Sequence, residues 1–440
     1  IQSYLEHSLE QAITDTGAKY ADGIVMDTDT GAILAMTSQP DFDLNNPRVI
    51  SDTTKAEEIA AMTDPTERST ATTNALYSQW RNRTISDTYE PGSVFKTVVV
   101  SAALEEGVVD LDTTYTCTGS IRVADRIQHC WKRGGHGTET LTEGLMNSCN
   151  PFFITIGQSL GQETFYKYFE AFGFTEKTGI DLPAEATPVA GQTYHALEDM
   201  GITELSSSSF GQTFQVSPVQ MITAVNTIAN GGKLMQPYLV ESKLDGDGNV
   251  VYKTTPTVKR QVISEKTADT VANMMEQVVS IGTGKNAYVA GFHVAGKTGT
   301  SEKIGMEGAY SASCAGFAPA DDPQITILIA IDEPGGEHGG GAVAAPIAGE
   351  LLEKILTYLN VEPQYEEDEI SNISSVAPSR VNMTVSEAQS TASKFKLRVV
   401  GDGDTVVSQI PAAGQQMRTG GVIVVYTDTE TPRETGTVPD

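Results

Sequence analysis

Tyr89-Glu90-Pro91-Gly92-Ser93-Val94-Phe95-Lys96-Thr97-Val98-Val99-Val100-Ser101-Ala102-Ala103-Leu104 carries the first chemical signal in this 440-residue chain. A Pro-Gly pair punctuates the backbone. The apolar run behind it, Lys96 to Leu104, predicts a loop leading into a buried helix. Ser93 and Lys96 then lie one helical turn apart, which sets the ammonium beside the hydroxyl. Burial lowers a lysine pKa, and a neutral amine can take the serine proton. The helix N-terminus favours the negative charge that develops nearby. A Ser-x-x-Lys alone carries little weight, because a solvated helix face explains most such matches. Ser393-Lys394-Phe395-Lys396 has the same spacing and no catalytic company.

Two further motifs supply that company. Ser148-Cys149-Asn150 is followed by Pro151, which implies an extended or turn geometry at Asn150. Such a turn aims a hydroxyl and an amide into a cleft, or forms an Asx-turn that satisfies only local backbone. Lys297-Thr298-Gly299-Thr300 follows the apolar stretch Phe292 to Gly296 and reads as the end of a strand running from Val289 to Thr300. Lys and Thr together suit a carboxylate by charge and hydrogen bond, and Gly allows a second backbone to approach. An earlier copy, Lys177-Thr178-Gly179, leads into the turn-rich Ile180-Asp181-Leu182-Pro183 and reads as a loop.

Outward from these motifs the chain mixes helices with antiparallel-type strands rather than alternating in βαβ units, so the fold class is α+β. Leu5, Leu9, Ala12 and Ile13 form one helical face. Ile24–Met26 and Ile33–Met36 flank an Asp29-Thr30-Gly31 turn and predict a hairpin. Residues 41–74 are polar and irregular. Helices are predicted over Val219–Ile228, Lys266–Ile281 and Val343–Leu359, with strands over Ser313–Phe317 and Ile325–Ile331. Residues 361–375 read as an acidic linker. Residues 376–428 form a compact segment opened by the capping box Thr384-Val385-Ser386-Glu387. Residues 429–440 read as a disordered tail.

Composition removes several function classes. Lys and Arg total 29 against 57 Asp and Glu, a net charge of −28, which repels phosphate backbones and argues against nucleic acid as a partner. Hydrophobic residues make up 39%, enough to bury a sizeable core. No run approaches the roughly 18 apolar residues of a membrane helix. The opening Ile1-Gln2-Ser3 reads like the middle of a longer polypeptide from which an anchor or export segment has been removed.

The three motifs in this order are the established set of penicillin-binding proteins and class A β-lactamases. Asn82 through Ser93, Phe210-Gly211-Gln212 through Pro218-Val219-Gln220, and Ala344-Ala345-Pro346 sharpen the match. Residues 1–360 closely resemble the transpeptidase domain of class B penicillin-binding proteins, and the C-terminal segment resembles a PASTA module. The resemblance implies a penicillin-binding/serine β-lactamase-like fold, an antiparallel sheet packed with helices, plus a small α+β module. It implies that Ser93 attacks the carbonyl between the terminal D-alanines of a peptidoglycan stem peptide, with Lys96 as general base. The backbone N–H groups of Ser93 and Thr300 would hold the oxyanion. Ser148 would relay a proton to the departing D-alanine, and Asn150 would bond the substrate backbone. Lys297, Thr298 and Thr300 would orient the terminal carboxylate, with Gly299 giving room. β-Lactams would acylate Ser93, and neither a metal nor an organic cofactor is called for. Further implied are a wall-synthesis glycosyltransferase partner and anchoring on the extracytoplasmic face of the bacterial membrane. A single PASTA module points to sporulation and cortex synthesis. The alternatives are a septal transpeptidase, a non-catalytic β-lactam or wall sensor, and a serine β-lactamase. A class A lactamase needs a Glu-x-x-Leu-Asn element after the second motif, and none is found.

In an extracytoplasmic setting Cys117, Cys130 and Cys149 are candidate redox residues. Three pairings are open. Cys149 within the second motif makes a thiol switch one reading and a buried small hydrophobe another. Cys117, Cys130 and His136 also make a partial zinc site that lacks an evident fourth ligand.

Overall fold

The computed structural model describes residues 1–303, 305–366, 369, 374–391 and 395–427. Ser393 and Lys394 of the second Ser-x-x-Lys, part of the acidic linker and the tail 429–440 lie outside them. The chain divides into two compact units, Ile1–Glu362 and Pro363–Asp440.

The first unit is built on a five-stranded antiparallel sheet of β1 (Tyr20–Asp27), β2 (Ile33–Gln39), β3 (Ala295–Glu302), β4 (Tyr310–Ala318) and β5 (Ile325–Asp332). The strand order is β3-β4-β5-β1-β2, so β3 lies at an edge. The sheet buries both faces by strand alternation. Ala21 and Val25 of β1 join Ile327, Ile329 and Ile331 of β5 in one core. That core is closed by Leu5 and Leu9 of helix α1 (Gln2–Thr16) and by Leu351 and Ile355 of helix α6 (Gly340–Tyr358). Ile24, Met26 and Leu328 face the other way into a larger core. That second core is made with helices α2 (Lys96–Glu105), α3 (Asn150–Ala171), α4 (Pro218–Ala229) and α5 (Glu265–Ser280).

Three expectations need correction. The polar stretch 41–74 contains helices, Thr53–Ala60 and the start of Pro65–Gln79. The latter buries no residue, so it shows no apolar stripe. Residues 289–294 are largely buried but stand outside the strand, which begins only at Ala295. Asn150 is not in an extended turn. It is the first residue of α3, with Cys149 as N-cap and Pro151 in the first turn, where its missing N–H is no loss.

The second unit has Lys396–Val400 parallel and Ser408–Ile410 antiparallel to a central Val422–Tyr426 strand. The short helix Val385–Ser390 is capped by Thr384 and Glu387. Ala388, Val406, Ile423 and Val425 fill its small core.

A buried polar clasp fixes α4 on the sheet. Asn226 Nδ2 donates to Thr28 O at 3.0 Å, and Thr326 Oγ1 donates to Asn226 Oδ1 at 2.7 Å. Asn226→Leu removes both bonds and strands Thr28 O, at a cost of about 1–3 kcal/mol, while Thr326 Oγ1 keeps its bond with Thr28 Oγ1 at 3.2 Å. Urea unfolding is expected to show a loss of roughly 1–3 kcal/mol. A loss below about 0.5 kcal/mol would mean the clasp contributes little.

Candidate active site

Ser93 sits in a single 3₁₀ turn, Gly92–Phe95, that runs directly into α2. The helix is buried on every side from Lys96 to Ala103, which carries Lys96 inward with it: Lys96 is 0% exposed. Its amine reaches the turn that precedes α3. Lys96 Nζ lies 2.8 Å from Ser148 O, 3.1 Å from Ser148 Oγ and 2.6 Å from Asn150 Oδ1. The Lys96 backbone N–H donates to Ser93 O, but these bonds of the amine all go to the second motif rather than to the hydroxyl one turn before it.

β3 delivers the third motif. Lys297 is also 0% exposed, and its Nζ lies 3.1 Å from Ser148 Oγ and 2.9 Å from Thr298 O. One hydroxyl therefore stands between two amines. Ser148 adopts a left-handed backbone (φ 54°), uncommon for a residue with a Cβ, and this conformation turns its side chain toward both lysines. A Cβ on Gly299 would lie 2.6 Å from Pro91 O and 2.6 Å from Ser313 Oγ, so only glycine lets the segment carrying Ser93 lie against β3. Thr300 is exposed, and its Oγ1 accepts from the N–H of Gly340 at the start of α6.

The electrostatics follow from burial. Desolvation pushes the Lys96 amine well below the ordinary lysine range, and the nearby Lys297 charge adds to the effect. Desolvation lowers Lys297 to about 7. In this pair a neutral amine can accept while the other donates, with Ser148 Oγ bridging them.

Lys96, Ser148, Asn150 and Lys297 thus meet through hydrogen bonds, with Lys297 also bonded to Thr298 O, while the turn that carries Ser93 lies against Gly299 and Thr300 of β3. The copy at Lys177-Thr178-Gly179 is engaged elsewhere. Thr178 N and Oγ1 both donate to Glu185 Oε1 at 2.6 Å, and Gly179 N donates to Glu185 Oε2 at 3.2 Å. Cys117, Cys130 and Cys149 are free, buried thiols. Two neighbours of the second motif escaped the sequence reading. Asn147 Nδ2 donates to Glu139 Oε1 at 2.7 Å, and Trp131 Nε1 donates to Asn147 O at 2.9 Å. No residue spacing signals either contact.

Residues 23–353 match the family described as the penicillin binding protein transpeptidase domain, and residues 376–429 match the PASTA domain. Stage V sporulation protein D of Bacillus subtilis (strain 168) is 37% identical over 99% of this chain and 65% of its own length. The peptidoglycan D,D-transpeptidase PbpA of Mycolicibacterium smegmatis is 31% identical over 79% of this chain and 70% of its own length. The crystal structure of penicillin binding protein 3 from Mycobacterium tuberculosis, complexed with aztreonam, aligns with a TM-score of 0.70 at 27% identity. That alignment covers 83% of this chain and 78% of the other. The chain spans between 52% and 70% of the length of the first curated relatives it matches.

Burial of Lys297 has a pH signature. Its folded pKa of about 7 lies below the ordinary 10.5, so between those values the unfolded chain binds more protons. Stability therefore rises with pH across that window. Lys297→Met removes this contribution. The unfolding free energy of the wild type relative to the variant is expected to climb as pH rises above 7 in denaturant titrations. A difference that stays flat with pH would show that Lys297 remains charged in the folded protein.

Proposed function

The chain belongs to the penicillin-binding protein transpeptidase family, and on that premise we propose that it is a peptidoglycan D,D-transpeptidase working through a Ser93 acyl-enzyme. The observation that carries this reading is the Ser148 hydroxyl held between Lys96 and Lys297. A buried neutral Lys96 is suited to take the Ser93 proton as Ser93 attacks the carbonyl between the two terminal D-alanines. The acquired proton passes through Ser148 Oγ to the nitrogen of the departing D-alanine. Lys297, with Thr298 and Thr300, orients the terminal carboxylate, and the Asn150 amide bonds the donor backbone. The N–H groups of Ser93 and Thr300 hold the oxyanion, an effect worth about 3–4 kcal/mol of barrier for one donor in well-studied hydrolases. An amine of a neighbouring stem then attacks the ester, forming the cross-link and freeing Ser93.

The likeness to a stage V sporulation protein supports a role in spore cortex synthesis, with septal relatives as the competing assignment. Stem peptides place the activity on the extracytoplasmic face of the membrane, alongside a glycosyltransferase that supplies glycan strands. No helix among the described residues is long and apolar enough to cross a membrane.

Incubation with benzylpenicillin is expected to add one drug mass, mapped to the Ser93 peptide, absent from Ser93→Ala and slow to leave. Rapid release of hydrolysed drug would instead identify a lactamase. D-Alanine release from a pentapeptide stem separates a transpeptidase from a sensor, which acylates without turnover. Lys297→Ala is expected to slow acylation by carboxylate-bearing β-lactams by more than roughly ten-fold, and much less for an analogue lacking the carboxylate. Equal losses would refute the carboxylate role.

A further inference from the structure

Beside the second motif, four chain segments bring together side chains that acyl transfer does not use. Cys117 ends the strand Thr114–Cys117, and Cys130 follows the strand Arg126–His129. His136 lies in the loop that follows, and Cys149 caps α3. Their ligand atoms all lie within 4.8 Å of one another. His136 Nδ1 is 3.6 Å from Cys130 Sγ, and the imidazole is buried with no hydrogen-bond partner for Nε2. We propose that Cys117, Cys130, His136 and Cys149 form a zinc site of three thiolates and one imidazole that holds the turn carrying Ser148 and Asn150.

The donor set and its shape both point to zinc. Three sulfurs and one nitrogen, closed off from solvent, match a structural tetrahedral centre. Ideal bond lengths put such ligand atoms about 3.5–3.8 Å apart, so small side-chain adjustments close the set. A disulfide uses only two thiols and leaves the third, with the imidazole, without a role. The backbone is shaped for the convergence. A Cβ on Gly135, at φ 74°, would lie 2.2 Å from Cys117 O, and Cys130 N donates to Gly119 O at 2.9 Å. Metal binding displaces the thiol protons to solvent.

The site also reaches the catalytic turn. Cys149 is flanked by the two residues that meet Lys96. Trp131, next to Cys130, packs its ring against His136 and donates to Asn147 O. Fixing Cys149 to three other segments would hold Ser148 in its left-handed conformation.

The test reads metal first. The wild-type chain, purified without chelator, should carry about one zinc by elemental mass spectrometry, the stoichiometry of such a centre. Cobalt(II) added to stripped wild type should give thiolate-to-cobalt charge transfer and tetrahedral ligand-field bands, a readout that needs no variant. Cys117→Ser and Cys130→Ser should lose the metal, whereas Cys314→Ser, outside the cluster, should keep it. Absence of zinc together with absence of the cobalt bands would overturn the site. Stripping should slow penicillin acylation by roughly ten-fold or more, as loss of a supporting metal shell does, with recovery on adding zinc. An unchanged rate in a protein shown to bind zinc would overturn the tie to the second motif. Metal content is independent of the acyl adduct on Ser93, so failure of this inference and failure of the transpeptidase reading are separately visible.

Discussion

Two buried amines share one hydroxyl, and much of the first unit exists to keep them there. Two like charges at 0% exposure cannot both persist without a heavy desolvation and repulsion cost. Burial lowers the affinity of both amines for a proton, which favours a neutral Lys96 able to act as a base. The arrangement requires three elements with different anchors. α2 is buried on all sides in the larger core, and β3 is hydrogen-bonded to β4. The turn before α3 has neither advantage, since Ser148 holds a backbone conformation that costs free energy. Outside contacts must hold it, from Lys96, Lys297 and the Trp131–Asn147 bond.

The second Lys-Thr-Gly copy shows what separates a site from a structural element. Thr178 and Gly179 grip a carboxylate through a hydroxyl and two backbone N–H groups, and the carboxylate belongs to Glu185 of the same chain. The chemistry inferred from the letters is sound in both copies. The copy on β3 hydrogen-bonds to no such internal carboxylate among the described residues, and sequence spacing cannot tell the two copies apart.

Legibility followed physical contrast. α4 was readable because an apolar run lies between the Ser217 cap and Asn230-Gly231, and it buries every residue. β4 and β5 were readable as apolar runs in a two-sided sheet. The Pro65–Gln79 helix buries nothing, so only its Asp64 cap and Pro65 announced it. Residues 289–294 mimic a strand because burial without pairing leaves the same apolar letters. Among the site residues the types and their order were legible, but their mutual distances were not. Cys149 was legible as a redox companion of Cys117 and Cys130 but not as a fourth ligand beside His136, because it sits inside a motif that already had another use.

The place of β3 at the sheet edge has a consequence for how a peptide would be read. An open strand edge offers main-chain donors and acceptors in a fixed two-residue rhythm. A stem peptide laid along it would join as an added strand, recognised by its backbone rather than by the chemistry of its side chains. Slippage by a single residue would turn every side chain to the opposite face and carry the terminal carboxylate away from Lys297. Selectivity of this kind would reside in register: the edge would count residues from the chain end and tolerate variety among the side chains it counts.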